Sequence, residues 1–360
     1  MLKKISAAFI ILILFSASLL TGGEKQDLWL KAVSEKDGKA RLLLLEEFAE
    51  KFKNDKRYFK NLHINLTKTA FYIRDFDKTI QYGEKTIAVE NLEDNYKIEV
   101  YIYLANSYYV TKTDLDKAFQ YAGLVVDLSQ AIKKGFKDSS DLGTQIDQRY
   151  LVPALSIQAS ILHTTGKDKT ENLIEALNKV TEAFIYDKSK RTTNKIFSYA
   201  IALYRKDPSK IDASLKAVEN AYSNSKDPNP RHAYVIASWY NKKNDKENAI
   251  KFYKKSYNVN KKSKIATNIG ILLNKKSPES AVKYFAEAYI LGDSDKESKA
   301  YKYLRQLWYN KIAKGKTQKE QDDGFDEILT SAKSRLNVDT ESPDENSVES
   351  SESSGTTTDN

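Results

Sequence analysis

Residues 233–257 read AYVIASWYNKKNDKENAIKFYKKSY, and the spacing of their small and apolar residues decides the architecture of the chain. In the first half, Val235, Ile236, Trp239 and Tyr240 fall on one stripe of a 3.6-residue helix, with Ala237 where a partner helix must come close. The polar run from Lys242 to Asp245 turns the chain. In the second half, Ala249, Ile250, Phe252, Tyr253 and Ser256 repeat the arrangement, small side chains at the approach and aromatic ones filling the space beside them. The stretch predicts two packed helices. Their apolar groups point to more than one side, so the hairpin needs neighbours on which to bury them. Each large side chain buried that way stabilises the fold by about 1.5–3 kcal/mol.

The pattern recurs on both sides of this stretch. Upstream, His63 to Ile87 carries Thr79, Ile80, Thr86 and Ile87 in the same register, and Tyr101 to Val126 carries Leu104, Ala105 and Tyr108, then Ala118 and Phe119. A third copy runs from Leu151 through Pro153 to Ala176, Leu177, Ala183 and Phe184. The fourth places Ile201, Ala202 and Tyr204 on its first helix, starts its second at Asp207-Pro208, and continues with Ser214, Leu215, Ala221 and Tyr222. After the break Asp227-Pro228-Asn229-Pro230 and the stretch at 233–257 comes a sixth copy, with Ile269, Gly270, Ser277-Pro278, Ala281, Val282, Ala288 and Tyr289. Thr79, Ala118, Ala176, Ser214, Ala249 and Ala281 are spaced by 39, 58, 38, 35 and 32 residues, and the long interval holds a polar insertion at 133–148, an extended helix end or, the favoured reading, a loop over one face. Gly83 sits inside a predicted helix, where it costs about 1 kcal/mol against Ala unless a close contact needs it.

The Leu104-Ala105 pair followed by Tyr108, with a recurrence near 34 residues, resembles the tetratricopeptide repeat. The resemblance covers about Tyr58 to Gly292 and implies an all-α fold, a right-handed superhelical solenoid of helical hairpins. The domain organisation that follows is a capping helix pair at 24–56, six repeats over 57–292, a second capping pair at 293–337 and a tail at 338–360. In such repeats the first helices line a concave groove that holds an extended peptide or a partner's helix. Carried onto this chain, the groove side of the first helices comprises Asn61, Lys68, Glu99, Asn106, Arg231, Tyr234, Ser238, Asn241, Lys264 and Asn274. Asn106 stands where peptide-binding members often carry Asn; the rest of their lysine and asparagine clamp for a terminal carboxylate is not reproduced among these residues.

The ends of the chain differ in character from the repeats. Lys3 and Lys4 precede an apolar run from Ile5 to Leu20 and the small residues Thr21 to Gly23, the layout of a secretory signal peptide over residues 1–23, with a short membrane anchor as the alternative. The expectation is an exported protein, periplasmic or extracellular. Leu20-Thr21-Gly22-Gly23 resembles the end of a bacterial lipoprotein signal except that Gly23 stands in place of the acylated cysteine. The chain has no cysteine at all, which excludes disulfides, thiolate metal sites and a thiol nucleophile. Net charge is +9, yet residues 338–360 hold seven acidic residues and no basic one, so the part ahead of them is more basic still. Only nine of the 58 basic residues are Arg, and phosphate and base-edge recognition favours the Arg fork, so nucleic acid is disfavoured.

Little in the sequence suggests reaction chemistry. His63, His163 and His232 lie far apart, with none of the i, i+4 spacing of a helical metal pair, and no metal or other cofactor is expected. There is no phosphate-cradling glycine loop and no serine elbow. Most of the 23 Tyr that can be placed, such as Tyr108, Tyr253 and Tyr289, fall on packing stripes rather than a sugar platform. The sequence is read as a non-enzymatic scaffold or adaptor of the bacterial cell envelope that holds a protein or peptide in its groove. The alternative is a binder of an anionic envelope polymer or membrane surface through its Lys-rich face.

Overall fold

The computed structural model describes residues 23–53, 55–135 and 140–337. The segment expected to be a signal peptide and the acidic tail fall on residues 1–22 and 338–360, outside the described residues. Among the described residues every regular element is helical. The chain divides into two compact units, one ending at Asn229 and the other beginning at Pro230, where the Asp-Pro-Asn-Pro break stands.

The first unit holds α1 (Glu24–Ser34), α2 (Gly38–Lys51), α3 (Lys56–Tyr72), α4 (Phe76–Ile87), α5 (Asp94–Thr111), α6 (Leu115–Gly135), α7 (Ser140–Ile146), a π turn at Asp147–Leu151, α8 (Val152–Thr165), α9 (Thr170–Tyr186), α10 (Lys190–Lys206), a 3-10 turn at Pro208–Lys210 and α11 (Ile211–Asn224). The second holds α12 (Pro230–Lys242), α13 (Lys246–Val259), α14 (Ser263–Leu273), α15 (Pro278–Ile290), α16 (Lys299–Leu307), a π turn at Trp308–Ile312 and α17 (Gln318–Leu336). Successive helices pair as hairpins, and within each unit the hairpins pack on their sequence neighbours.

The six aligned positions Thr79, Ala118, Ala176, Ser214, Ala249 and Ala281 each have no exposed surface, and the residues seven further on, Thr86, Val125, Ala183, Ala221, Ser256 and Ala288, are buried as well. Both positions of each second helix are thus buried where the first helix crosses it, with Ala, Ser or Thr at all of them but Val125. Thr79 and Thr86 satisfy their hydroxyls on the carbonyls of Asp75 and Tyr82, one turn back, at 2.7 Å each. The hairpin turns share a construction: Arg74 and Asn244 adopt left-handed φ, and the following Asp75 and Asp245 cap the second helices by accepting from Lys78 N at 3.0 Å and Asn248 N at 3.1 Å. The N-terminal pair buries Phe48 among Trp29, Phe52 and Tyr58, ring centroids 5.0–5.2 Å away.

One expectation about the insertion is corrected. Of residues 133–148, read as a loop, 133–135 end α6 and 140–148 are helical: Asp147 is buried against Lys133 Nζ at 2.8 Å, and the following Arg149 Nη2 donates to Glu99 of α5 at 3.0 Å, so ion pairs hold the segment on α6 and α5. Ile201, Ala202 and Tyr204 lie on α10 as the sequence placed them and are half-buried there, while Ile196, Phe197, Ala200 and Leu203 are its buried residues.

Candidate binding clefts

In the first unit, α5, α8 and the start of α10 enclose a cleft of about 530 Å³. Its apolar wall is Val110, Val152, Pro153 and Ile157, and its polar groups are Asn106, Tyr109, Ser156, Ser160, Asp187, Arg191, Thr192 and Lys195. Arg191 and Lys195 stand one turn apart on α10 and so on one face. No carboxylate pairs with either among the described residues; the Lys195 Nζ reaches only Ser160 Oγ, at 3.4 Å. Burial, and after it the Arg191 guanidinium, hold the Lys195 ammonium below the usual lysine range. Asp187, itself on the wall, spends its carboxylate on the α10 N-terminus, accepting from Thr192 Oγ1 at 2.6 Å and Ser189 Oγ at 2.8 Å. The cleft therefore presents two cations, an amide, a carboxylate already engaged by hydroxyls and an apolar wall.

The residues expected on the groove side separate into groups. Asn106 lines this cleft. Glu99, expected to be exposed, is 8% exposed, because it collects Lys68 Nζ at 3.1 Å, Arg149 Nη2 at 3.0 Å and Tyr103 OH at 2.7 Å. Lys68 is thereby committed to an ion pair, and Asn61 on α3 is exposed outside the cleft. Sequence reasoning missed Arg191 and Lys195. Their i, i+4 spacing at a helix start was a signal, but one shared by any solvated basic face.

In the second unit Arg231, Tyr234 and Lys264 come together on a cleft of about 320 Å³ between α12 and α14, with Val235, Ser256, Asn260, Lys262 and Ile265. Tyr234 packs edge-on against Tyr253 at 5.5 Å, and the Lys264 ammonium lies 5.9 Å from the Tyr234 ring. Burial, and then Tyr234, push the Tyr253 hydroxyl up to about 12. Ser238, Asn241 and Asn274 do not line this cleft.

The histidines sit in packing environments: His63 lies edge-on to Phe59 at 4.3 Å, His163 stacks on Tyr199 at 4.4 Å, and His232 is buried. Among the described residues no group of three or more His, Asp or Glu could hold a metal ion, and no helix is long and apolar enough to cross a membrane.

No protein-family model and no curated protein matches the chain. Among solved structures it is similar to a tetratricopeptide repeat protein from Parabacteroides merdae, at 14% identity over 80% of this chain and 100% of that one, TM-score 0.38. It is also similar to the C-terminal part of a TPR repeat-containing protein from Cytophaga hutchinsonii, at 12% identity over 75% and 95%, TM-score 0.36. A third similarity, at 10% identity over 84% and 100% with TM-score 0.28, is to Acl4, the assembly chaperone of RpL4. On the geometry of its own hairpins, with residues seven positions apart buried on each second helix, the chain is an all-α array of helical hairpins, the repeat architecture that its sequence pattern predicts.

Proposed function

We propose that the protein is a non-catalytic scaffold whose first unit holds an acidic or carboxylate-bearing segment of a partner protein between α5, α8 and α10. The observation that carries this reading is the pair Arg191 and Lys195, two cations without a carboxylate partner on one wall of a half-apolar cleft. Keeping an unpaired ammonium partly out of water is costly, and a ligand carboxylate placed between the two groups would offset that cost. Tyr109, Val110 and Ile157 would take the apolar side chains flanking the acid, and Asn106 would bond the ligand backbone, which frees recognition from any one side-chain sequence. The reading as an exported envelope protein rests on residues 1–23 alone.

Photo-crosslinking from Asn106 in the native host tests the proposal. A discrete protein should be captured by the wild-type chain and lost when Arg191→Ala and Lys195→Ala are combined. Capture that is indifferent to the double change, or a polydisperse polymer in place of a protein, would overturn it.

A further inference from the structure

The cleft of the second unit also has a cationic rim. Arg231 closes one side and Lys262 and Lys264 the other, over a floor of Tyr234, Val235 and Ile265. Neither Lys262 nor Lys264 has a carboxylate partner among the described residues; Lys264 rests over the Tyr234 ring instead. Glu287 of α15, a helix packed on α14, is engaged elsewhere, accepting from Tyr257 OH at 2.7 Å and from Arg335 Nε at 2.6 Å.

Arg335 fixes where α17 ends. Besides the Glu287 pair, its carbonyl oxygen accepts from Lys261 Nζ at 3.1 Å, so the last turn of α17 is tied to the residue between Asn260 and Lys262, both of which line the cleft. Asn337 then ends the helix in a left-handed cap. The 23 residues that follow begin VDTESPDENSVES, with Asp339, Glu341, Asp344, Glu345 and Glu349 and no Lys or Arg. An extended chain covers about 3.3–3.6 Å per residue, so the first six residues of that stretch can reach roughly 20 Å, enough to lie across a cleft that starts one residue from the anchor.

We propose that the acidic stretch 338–360 is the occupant of the α12–α14 cleft of its own chain, its first carboxylates on Lys262, Lys264 and Arg231 and an apolar residue such as Val338 against Tyr234 and Ile265. The tail then acts as a built-in acidic ligand that any outside anion must displace from this face. Opposite charge alone would attract it to any basic surface; the Lys261–Arg335 tie is what assigns it to this one. A short tether raises the effective concentration of the tail to the millimolar range, so weak contacts suffice.

The test compares the full chain with a form ending at Asn337. Removing the tail should speed amide hydrogen exchange at 231–235 and 260–265, and a fluorescent peptide of residues 338–360 should bind the shortened form about tenfold or more tighter than the full chain, where the site is taken. Lys262→Glu with Lys264→Glu should reduce peptide binding about tenfold. A full-length variant with Asp339, Glu341, Asp344 and Glu345 changed to their amides should exchange as the shortened form does, which separates charge from chain length. Exchange at 260–265 that is unchanged by truncation, or equal peptide binding to both forms, would overturn the proposal. Protection that grows with protein concentration would assign the cleft to the tail of a second copy and overturn the intramolecular arrangement.

Discussion

Gly83 of α4 lies so close to Leu104 of α5 that a β-carbon on the glycine would stand 2.6 Å from Leu104 Cδ2. Leu104 is fully buried, and the two hairpins meet at this point. A glycine inside a helix costs about 1 kcal/mol against alanine, and here the close approach of α5 offsets it. Gly123 of α6 makes the control, since its β-carbon would sit at an ordinary 3.5 Å from Gln158 Nε2. Gly83→Ala should therefore lower stability by about 1–3 kcal/mol through overpacking, while Gly123→Ala should raise it by up to about 1 kcal/mol. Urea denaturation followed by circular dichroism reads both; shifts of the same sign would mean that the approach of Leu104 is not what holds glycine at 83.

What the sequence made legible was whatever repeats. The small residue at each helix crossing obeys one steric rule six times, so Thr79 and Ala281 could be aligned although 202 residues separate them, and all six positions are fully buried. Pairings made once, across long stretches of chain, were not legible. Glu99 looked solvent-facing because its charge fits a solvated stripe, and the Arg149 that buries it comes from a segment fifty residues on that no repeat pattern describes. Arg191 and Lys195 were missed for the converse reason: basic residues at a helix start are ordinary, and only the placement of α8 turns these two into the wall of a cleft.

The fourth hairpin shows how the register of a helix matters. Ala200 has no exposed surface, and Ala202, two residues on along the same helix, is half-buried. Ala200→Leu should cost about 1–3 kcal/mol because three extra carbons have no space in a packed crossing, whereas Ala202→Leu should change stability by no more than about 0.5 kcal/mol. Midpoints of thermal unfolding for the two variants, measured side by side, decide the register.

Glu84 gives the first unit an acid-sensitive joint. Its carboxylate on α4 accepts from Tyr108 OH of α5 at 2.7 Å, Tyr121 OH of α6 at 2.9 Å and Lys117 Nζ at 3.1 Å. Burial pushes its pKa up, but the three donors outweigh burial and leave it below its usual 4.5. A carboxylate whose folded pKa is depressed contributes stability that is full above the unfolded value and is lost as pH falls through the folded one. Stability should therefore decline below about pH 4.5, and Tyr108→Phe with Tyr121→Phe should lower it by about 1–2 kcal/mol per hydroxyl at neutral pH while flattening the acid limb. An acid limb as steep in the double variant as in the wild type would remove Glu84 from that role.

Lys195 predicts the alkaline behaviour of the proposed ligand site. In the free protein its ammonium is held below the usual 10.5, first by burial and then by Arg191. A carboxylate bound beside it stabilises the charged form, so the pKa of the complex lies above that of the free protein. By linkage, affinity for an acidic segment is full below the free-state pKa and falls as pH rises from that value toward the pKa of the complex. Titrating a fluorescent Glu-rich peptide into the protein between about pH 7 and 11 should show affinity falling before ordinary lysines lose their charge near 10.4. Lys195→Arg, which keeps its charge through that range, should abolish the decline, and Lys195→Met should reproduce the high-pH affinity at neutral pH. A decline that survives in the arginine variant would place the titrating group elsewhere and separate this cleft from the binding of anions.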